Sequence, residues 1–176
     1  MSKTKTIMLA AGCFWCVQQK FDETAGVQST KVGYTGGKAK NPTYEEVCEG
    51  ETGHYEAIEI QYNPEKISLE TLLEIYLDQV DPENPYGQFC DIGTQYLLAI
   101  FYENEDEKKI ALSCLEKYKN EHQMKLIHIK LLPKAEFYEA EEYHQKFYLK
   151  NSSRYQQYKN YSGRKERLKA LKDKKT

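Results

Sequence analysis

Two features of this chain suggest chemistry: the cysteine pair in Cys13-Phe14-Trp15-Cys16, and Glu56, a glutamate set among apolar residues. Cys13 follows Gly12 at the end of an apolar run, Ile7 to Ala11, and precedes a segment with helical spacing. A thiol placed where a strand turns into a helix lies near the positive end of the helix dipole and near several free N–H groups. That setting lowers a thiol pKa and favours the nucleophilic thiolate. Gly12 permits the tight turn. Phe14 and Trp15 can wall an apolar pocket beside the sulfur, and they serve equally well as the first core turn of a helix. In a strand, residues two apart share a face, so Glu56 lies with Ile58, Ile60 and Tyr62. A carboxyl buried on that face has its pKa raised and can act as a general acid near neutrality. A strand that began after Glu56 would instead leave it in solvent.

Elements that position these groups follow from hydrophobic period and punctuation. Thr6 to Ala10 is predicted as a strand, Phe14 to Phe21 as a helix, and Gly26 to Tyr34 and His54 to Tyr62 as strands. Ser68 caps a helix with Leu69, Leu72, Leu73, Tyr76 and Leu77 on one face. Asp81 to Gly93 is a loop. Gln95 to Tyr102 and Lys125 to Leu132 are strands, Asn104 to His122 is a long helix, and Ala135 to Leu149 is helical. The order matches an α/β (α+β) fold, a ferredoxin-like split βαβ two-layer sandwich with added elements and a helical or irregular C-terminal extension. Residues 1–176 form one domain. The tail from Gly163 carries seven basic and two acidic residues and is expected to be a solvated, fraying helix end.

A net charge of −2 gives no global field toward nucleic acid or anionic membrane. No apolar run approaches the ~20 residues that span a bilayer. The stretch before Cys13 is shorter than the roughly 7–15 residues of a signal h-region, so Ala10-Ala11-Gly12-Cys13 is not read as a lipoprotein site. The expected place is the cytoplasm, the expected state a monomer. An odd count of five cysteines argues against a disulfide scaffold. Cys114, on the predicted long helix, is expected in the core. His122 and His128 are expected at the surface, and His144 is a candidate to contact the site from the C-terminal region.

In order, Gly12-Cys13-Phe14-Trp15, Val32-Gly33-Tyr34-Thr35-Gly36-Gly37, Asn41-Pro42-Thr43-Tyr44-Glu45-Glu46-Val47-Cys48, Gly50-x-Thr52-Gly53-His54-x-Glu56, Asp91-x-Gly93-Thr94-Gln95-Tyr96 and Tyr143-His144-Gln145 resemble the A-type peptide methionine sulfoxide reductases. The blocks cover roughly residues 7–163 with family-like spacing. The resemblance implies that Cys13 attacks the sulfur of methionine S-sulfoxide, free or in proteins. Glu56 would supply the proton, Tyr44 and Tyr96 would hydrogen-bond the oxygen, Phe14 and Trp15 would hold the S-methyl group, and Asp91 would orient the site. Cys13 is left as a sulfenic acid, which a second thiol converts to a disulfide for reduction by thioredoxin or another dithiol. No cofactor and no metal is implied.

Two departures bear on recycling. No cysteine follows Cys114, where many family members carry resolving thiols, and Cys16 stands where glycine is common. Cys16, on the same face of the first helical turn as Cys13, is the first resolving candidate. Cys90 beside Asp91 is its main competitor, and Cys48 is weaker. A direct attack by an external thiol also stands. Two rival classes use the same residues: a thioredoxin-like dithiol oxidoreductase through Cys13 and Cys16, and a structural zinc site from Cys13, Cys16, Cys48 and His54.

Overall fold

The computed structural model describes residues 3–175. At its centre β1 (Lys5–Ala11) is buried on both faces from Ile7 to Ala11, as a run without polar alternation requires. It pairs antiparallel with β3 (Tyr55–Tyr62), Leu9 opposite Ile58, and with β6 (Leu98–Tyr102), Ala11 opposite Leu98. β2 (Val27–Thr35) extends the sheet beyond β3, with Tyr34 opposite Glu56. β7 (Ile129–Pro133) runs parallel to β6, and β8 (Phe137–Glu139) pairs antiparallel with β2, giving the order β7-β6-β1-β3-β2-β8. The sheet is therefore mixed.

One face of the sheet presents Ile7, Leu9, Val32, Ile58 and Ile60 to α1 (Phe14–Asp22), α3 (Leu69–Leu77) and α4 (Glu105–Glu121). The predicted α3 stripe is the buried set, and Ser68 caps the helix by accepting the Thr71 N–H. Cys114 packs in this core from α4, as expected. The other face holds Met8, Ala10, Tyr55, Ala99 and Phe101. α2 (Tyr44–Cys48) opens with a capping box between Thr43 and Glu46.

Several expectations are corrected. Residues 135–149 do not form one helix. They form β8, a 3-10 turn at Glu142–His144 and the short α5 (Phe147–Lys150). The open edge of β2 decides this. β8 pairs with it, and the Gln145 side chain continues the pairing by accepting from the Val32 N–H and donating to the Val32 carbonyl. Lys146, at φ 52°, then breaks the chain direction. The β6 strand begins at Leu98 after a 3-10 turn at Thr94–Tyr96, and β7 begins at Ile129. The 81–93 loop contains a two-strand ribbon, β4 (Gly87–Gln88) with β5 (Asp91–Ile92), pinned by the buried Gln88 amide to the backbone of Asp81.

A helix absent from the sequence reading, α6 (Ser152–Tyr161), follows α5. The basic tail is not a solvated, fraying end. Its α7 (Arg164–Asp173) buries Arg164 and Leu171, and Arg167 bridges Asp81 and Glu83. His122 is not at the surface either. It is buried, stacked on Tyr118 at 3.9 Å, because the α4 C-terminus turns it back over the helix. His128 is half-buried.

Candidate active site

The chain leaves β1 at Ala11 and turns at Gly12, whose φ of +79° suits glycine. A Cβ there would lie 2.6 Å from the Gln88 Cβ, so the 81–93 loop packs directly against the turn. Cys13 is the N-cap of α1, and no side chain caps it. The first free amide, Phe14 N–H, donates to Glu56 Oε2 at 3.2 Å. Glu56 reaches it from β3, the neighbour of β1, so strand register brings the carboxyl to the helix start. The sequence reading anticipated Glu56 on the apolar face but not this contact.

Cys13 is 7% exposed and Glu56 2%. Burial, first of all, pushes the Glu56 carboxyl well above its ordinary value. Asp91 and Cys16 add to this, and the Phe14 amide opposes it. Glu56 is thus a proton holder. Cys13 departs from expectation. Burial first, then the hydrogen bond with Cys16, then the charges of Cys16, Glu56 and Asp91 all raise its thiol. The helix start favours the thiolate, but the dry site overrides it. The lower of the two is Cys16, brought down to about 7 by the Cys13 hydrogen bond, against burial, with Arg164 and Lys159 helping. Cys13 therefore donates its proton toward the Cys16 sulfur.

Aromatic side chains surround this pair. Phe14 is buried, 5.9 Å from Tyr34 and 5.1 Å from His144. Trp15 stacks on Phe147 at 3.9 Å, meets Tyr158 edge-on, and donates from Nε1 to His144 Nδ1 at 3.0 Å. That bond leaves the His144 proton on Nε2, which is buried without a hydrogen-bond partner among the described residues. His144 also lies 4.4 Å from the Tyr44 ring.

Tyr44 is held at the first turn of α2 by its N–H to Glu141, whose other oxygen accepts from Tyr34 Oη. Both Tyr44 and Tyr96 stay protonated. Burial raises each, and the Glu56 carboxyl faces both. Asp91 accepts a hydrogen bond from Tyr158 Oη. Burial raises its carboxyl, while Tyr158 and Arg164 oppose.

The structure thus gathers Cys13, Cys16, Phe14, Trp15, Glu56, Tyr44, Tyr96 and Asp91 around one helix start. It adds His144 from the named triplet. Tyr158, Glu141 and Phe147 were missed. Tyr158 is one of fifteen tyrosines on a helix with no clear apolar period, so no sequence signal marked it.

Cys48 and Cys90 are exposed, with Cys48 hydrogen-bonded to Tyr44 and Cys90 to Tyr158. Both ring nitrogens of His54 are engaged, by the Gly37 amide and the Ala39 carbonyl. His54 is therefore not free to join a zinc site, and the described residues contain no cluster of three potential metal ligands.

This arrangement of a thiol, a neutral buried acid and two phenol donors within an aromatic wall suits a small polar group carrying an apolar methyl. A model of the peptide methionine sulfoxide reductase family matches residues 5–176. The chain belongs to that family. Its chemistry is thiol-dependent reduction of methionine sulfoxide. Among relatives of the reductase, a protein of Halalkalibacterium halodurans named peptide methionine sulfoxide reductase MsrA is 48% identical over 160 residues, 90% of this chain and 91% of that one. The Bacillus subtilis protein of the same name is 46% identical over 166 residues, 93% and 94% of the two chains. The crystal structure of reduced Mxr1 from Saccharomyces cerevisiae aligns with a TM-score of 0.81 at 31% identity, covering 85% of this chain and 87% of Mxr1. Mxr1 is also known in complex with Trx2.

Proposed function

We propose that Cys13 is the nucleophile for the S epimer of methionine sulfoxide and that Glu56 is its proton donor. The observation that carries this is the buried, neutral Glu56 carboxyl held at the helix start by the Phe14 amide. A sulfoxide oxygen leaves only when protonated or strongly hydrogen-bonded. Cys13 passes its proton to Cys16 and attacks sulfur. Glu56 protonates the oxygen, and Tyr44 and Tyr96 donate to it as charge develops. Phe14 and Trp15 hold the S-methyl group. Asp91, fixed by Tyr158, orients the donors. Methionine departs, and Cys13 carries the oxygen as a sulfenic acid. Cys16 then attacks the Cys13 sulfur. Its proton leaves with the hydroxyl as water, and a Cys13–Cys16 disulfide forms. Cys90 is the alternative resolving thiol.

The substrate is methionine sulfoxide free or within oxidised proteins, and the external reductant is a thioredoxin-like dithiol. No resident cofactor is required. We also read β6-β1-β3-β2 with α1 and α3 as a ferredoxin-like split βαβ sandwich, to which β7, β8 and the C-terminal helices are added. The antiparallel order of those four strands supports this. We place the enzyme in the cytoplasm as a single-domain monomer, a reading supported by five unpaired cysteines. No helix among the described residues is long and apolar enough to cross a membrane.

The test is Cys13→Ser. A serine hydroxyl is far less ionised than a thiol, so methionine release with dithiothreitol should vanish while the circular dichroism spectrum is kept. Wild-type turnover in that variant refutes the mechanism.

A further inference from the structure

Cys16 has a second neighbourhood, away from the substrate. It lines a cleft of about 120 Å³ together with Lys20, Lys159 and Arg164. Cys13 does not line it. The cleft shares Gln79, Lys159 and Arg164 with a wider one of about 600 Å³, lined along α7 by Lys165, Lys169 and Lys172. The fold creates this face. Leu171 and the Arg167 bridges to Asp81 and Glu83 dock one side of α7, so its remaining cations point along the groove.

None of Lys20, Lys159, Arg164, Lys165, Lys169 and Lys172 forms an ion pair among the described residues. Arg164 is only 5% exposed. It donates to the Gln79 carbonyl and lies 4.7 Å over the Phe89 ring, and it forms no ion pair, although its charge also bears on the Asp91 carboxyl. Lys159 lies over Tyr155. Glu23 is the one carboxylate among the described residues lining either cleft, and Gln19 donates to it. A nearly buried guanidinium facing a groove of unpaired lysines is a site waiting for an anion.

We propose that this groove admits a low-molecular-mass thiol bearing carboxylates, which opens the Cys13–Cys16 disulfide from the Cys16 side. The proposal rests on Cys16 being the resolving thiol. Cys16 is 5% exposed at the cleft, so a slender thiol arm suits this approach. The incoming thiolate bonds to the Cys16 sulfur. The Cys13–Cys16 bond breaks, and its electron pair leaves on Cys13, which takes up the proton that the carrier thiol released on forming its thiolate. A second thiol attacks the carrier sulfur of the mixed disulfide and releases the carrier disulfide and the Cys16 thiolate. Two carrier thiols are oxidised for each protein disulfide reduced.

The experiment oxidises the enzyme with one equivalent of methionine sulfoxide and follows reopening by glutathione, 2-mercaptoethanol and cysteamine, each corrected for its thiolate fraction. Glutathione should outrun cysteamine by on the order of tenfold at low salt. The preference should collapse at about 0.5 M salt. It should also collapse in Lys20→Gln/Lys169→Gln, an exposed pair lining the two clefts, with the 2-mercaptoethanol rate unchanged. The trapped mixed disulfide should map to Cys16. Equal rates, a preference that survives the double substitution, or an adduct at Cys13 overturns the proposal. A second arm separates it from the recycling reading. In Cys13→Ser/Cys48→Ser/Cys90→Ser, oxidised glutathione and cystamine compete for Cys16 directly. If thiol titration of the wild type finds no Cys13–Cys16 disulfide, the recycling reading fails. The charge preference in this arm still decides whether the groove selects anions.

Discussion

Replacing Glu56 by glutamine should make the protein both slower and more stable, with a pH signature that identifies the cause. The amide oxygen still accepts from the Phe14 N–H, so the helix start keeps its partner. What is lost is a transferable proton. Burial raises the Glu56 carboxyl well above its ordinary value of 4.5 in the fold. Below that value Glu56 is neutral folded and unfolded alike, and its contribution is fully present. As pH rises toward the folded value, the unfolded chain ionises Glu56 while the folded chain does not, and stability falls. Linkage sets the slope for one such group at ~1.4 kcal/mol per pH unit. For a protein of this size that is roughly 3–6 °C in Tm per pH unit. The variant lacks this loss. Wild type and Glu56→Gln should therefore melt alike near pH 4 and diverge upward from there, the variant being the more stable. Asp91 titrates in both and cancels in the difference. Single-turnover methionine release should slow by about 10²–10⁴-fold. A Tm difference independent of pH, a variant less stable at neutral pH, or a slowing below about threefold would refute the reasoning.

Cys16→Ser should lose one free thiol per stoichiometric turnover where the wild type loses two, and should release methionine more slowly, as a thiol titration alongside product release would show. Two thiols lost in that variant would rule out Cys16 and pass the resolving role to Cys90 or Cys48, which peptide mapping separates. Resolved epimers should separate cleanly, the S form being turned over and the R form inert, since Phe14, Trp15, Tyr44 and Tyr96 accept methyl and oxygen in one arrangement; chiral chromatography of the residual sulfoxide reads this. Leu171→Ala should cost ~2–5 kcal/mol by urea unfolding, because that side chain is 1% exposed in the core. A change within a few tenths would mean that α7 frays after all.

Local signals carried the reading furthest where one strand or helix owns the answer. The unbroken apolar run of β1, the alternation that put Glu56 on the inner face and the Ser68 cap are properties of neighbouring residues. The reading failed where a partner distant in the chain decides. Residues 135–149 have adequate helical character, but the unpaired edge of β2 claims Phe137–Glu139 as a strand and breaks the run. The basic tail after Gly163 looks solvated until Asp81 and Glu83 are known to face Arg167, and Glu83 to face Lys174. The direction of the Cys13 shift was lost for the same reason. A helix start is visible in sequence, whereas the burial that outweighs it is built by β3, the 81–93 loop and α6. Tyr158 could not be found at all, since its task is set by Asp91, 67 residues away.

The bond from Trp15 to His144 joins residues 129 positions apart. Synthesis proceeds from the N-terminus at roughly 5–20 residues per second. Cys13 therefore leaves the ribosome some ~6–26 s before the histidine that completes the aromatic wall, and longer before α7 docks on the opposite side. During that interval Cys13 lacks the burial and the aromatic neighbours of the folded site. A nascent or C-terminally clipped chain should consequently behave as a protein with an ordinary thiol rather than as a weakened enzyme, and proteolysis within residues 144–171 would switch activity off outright.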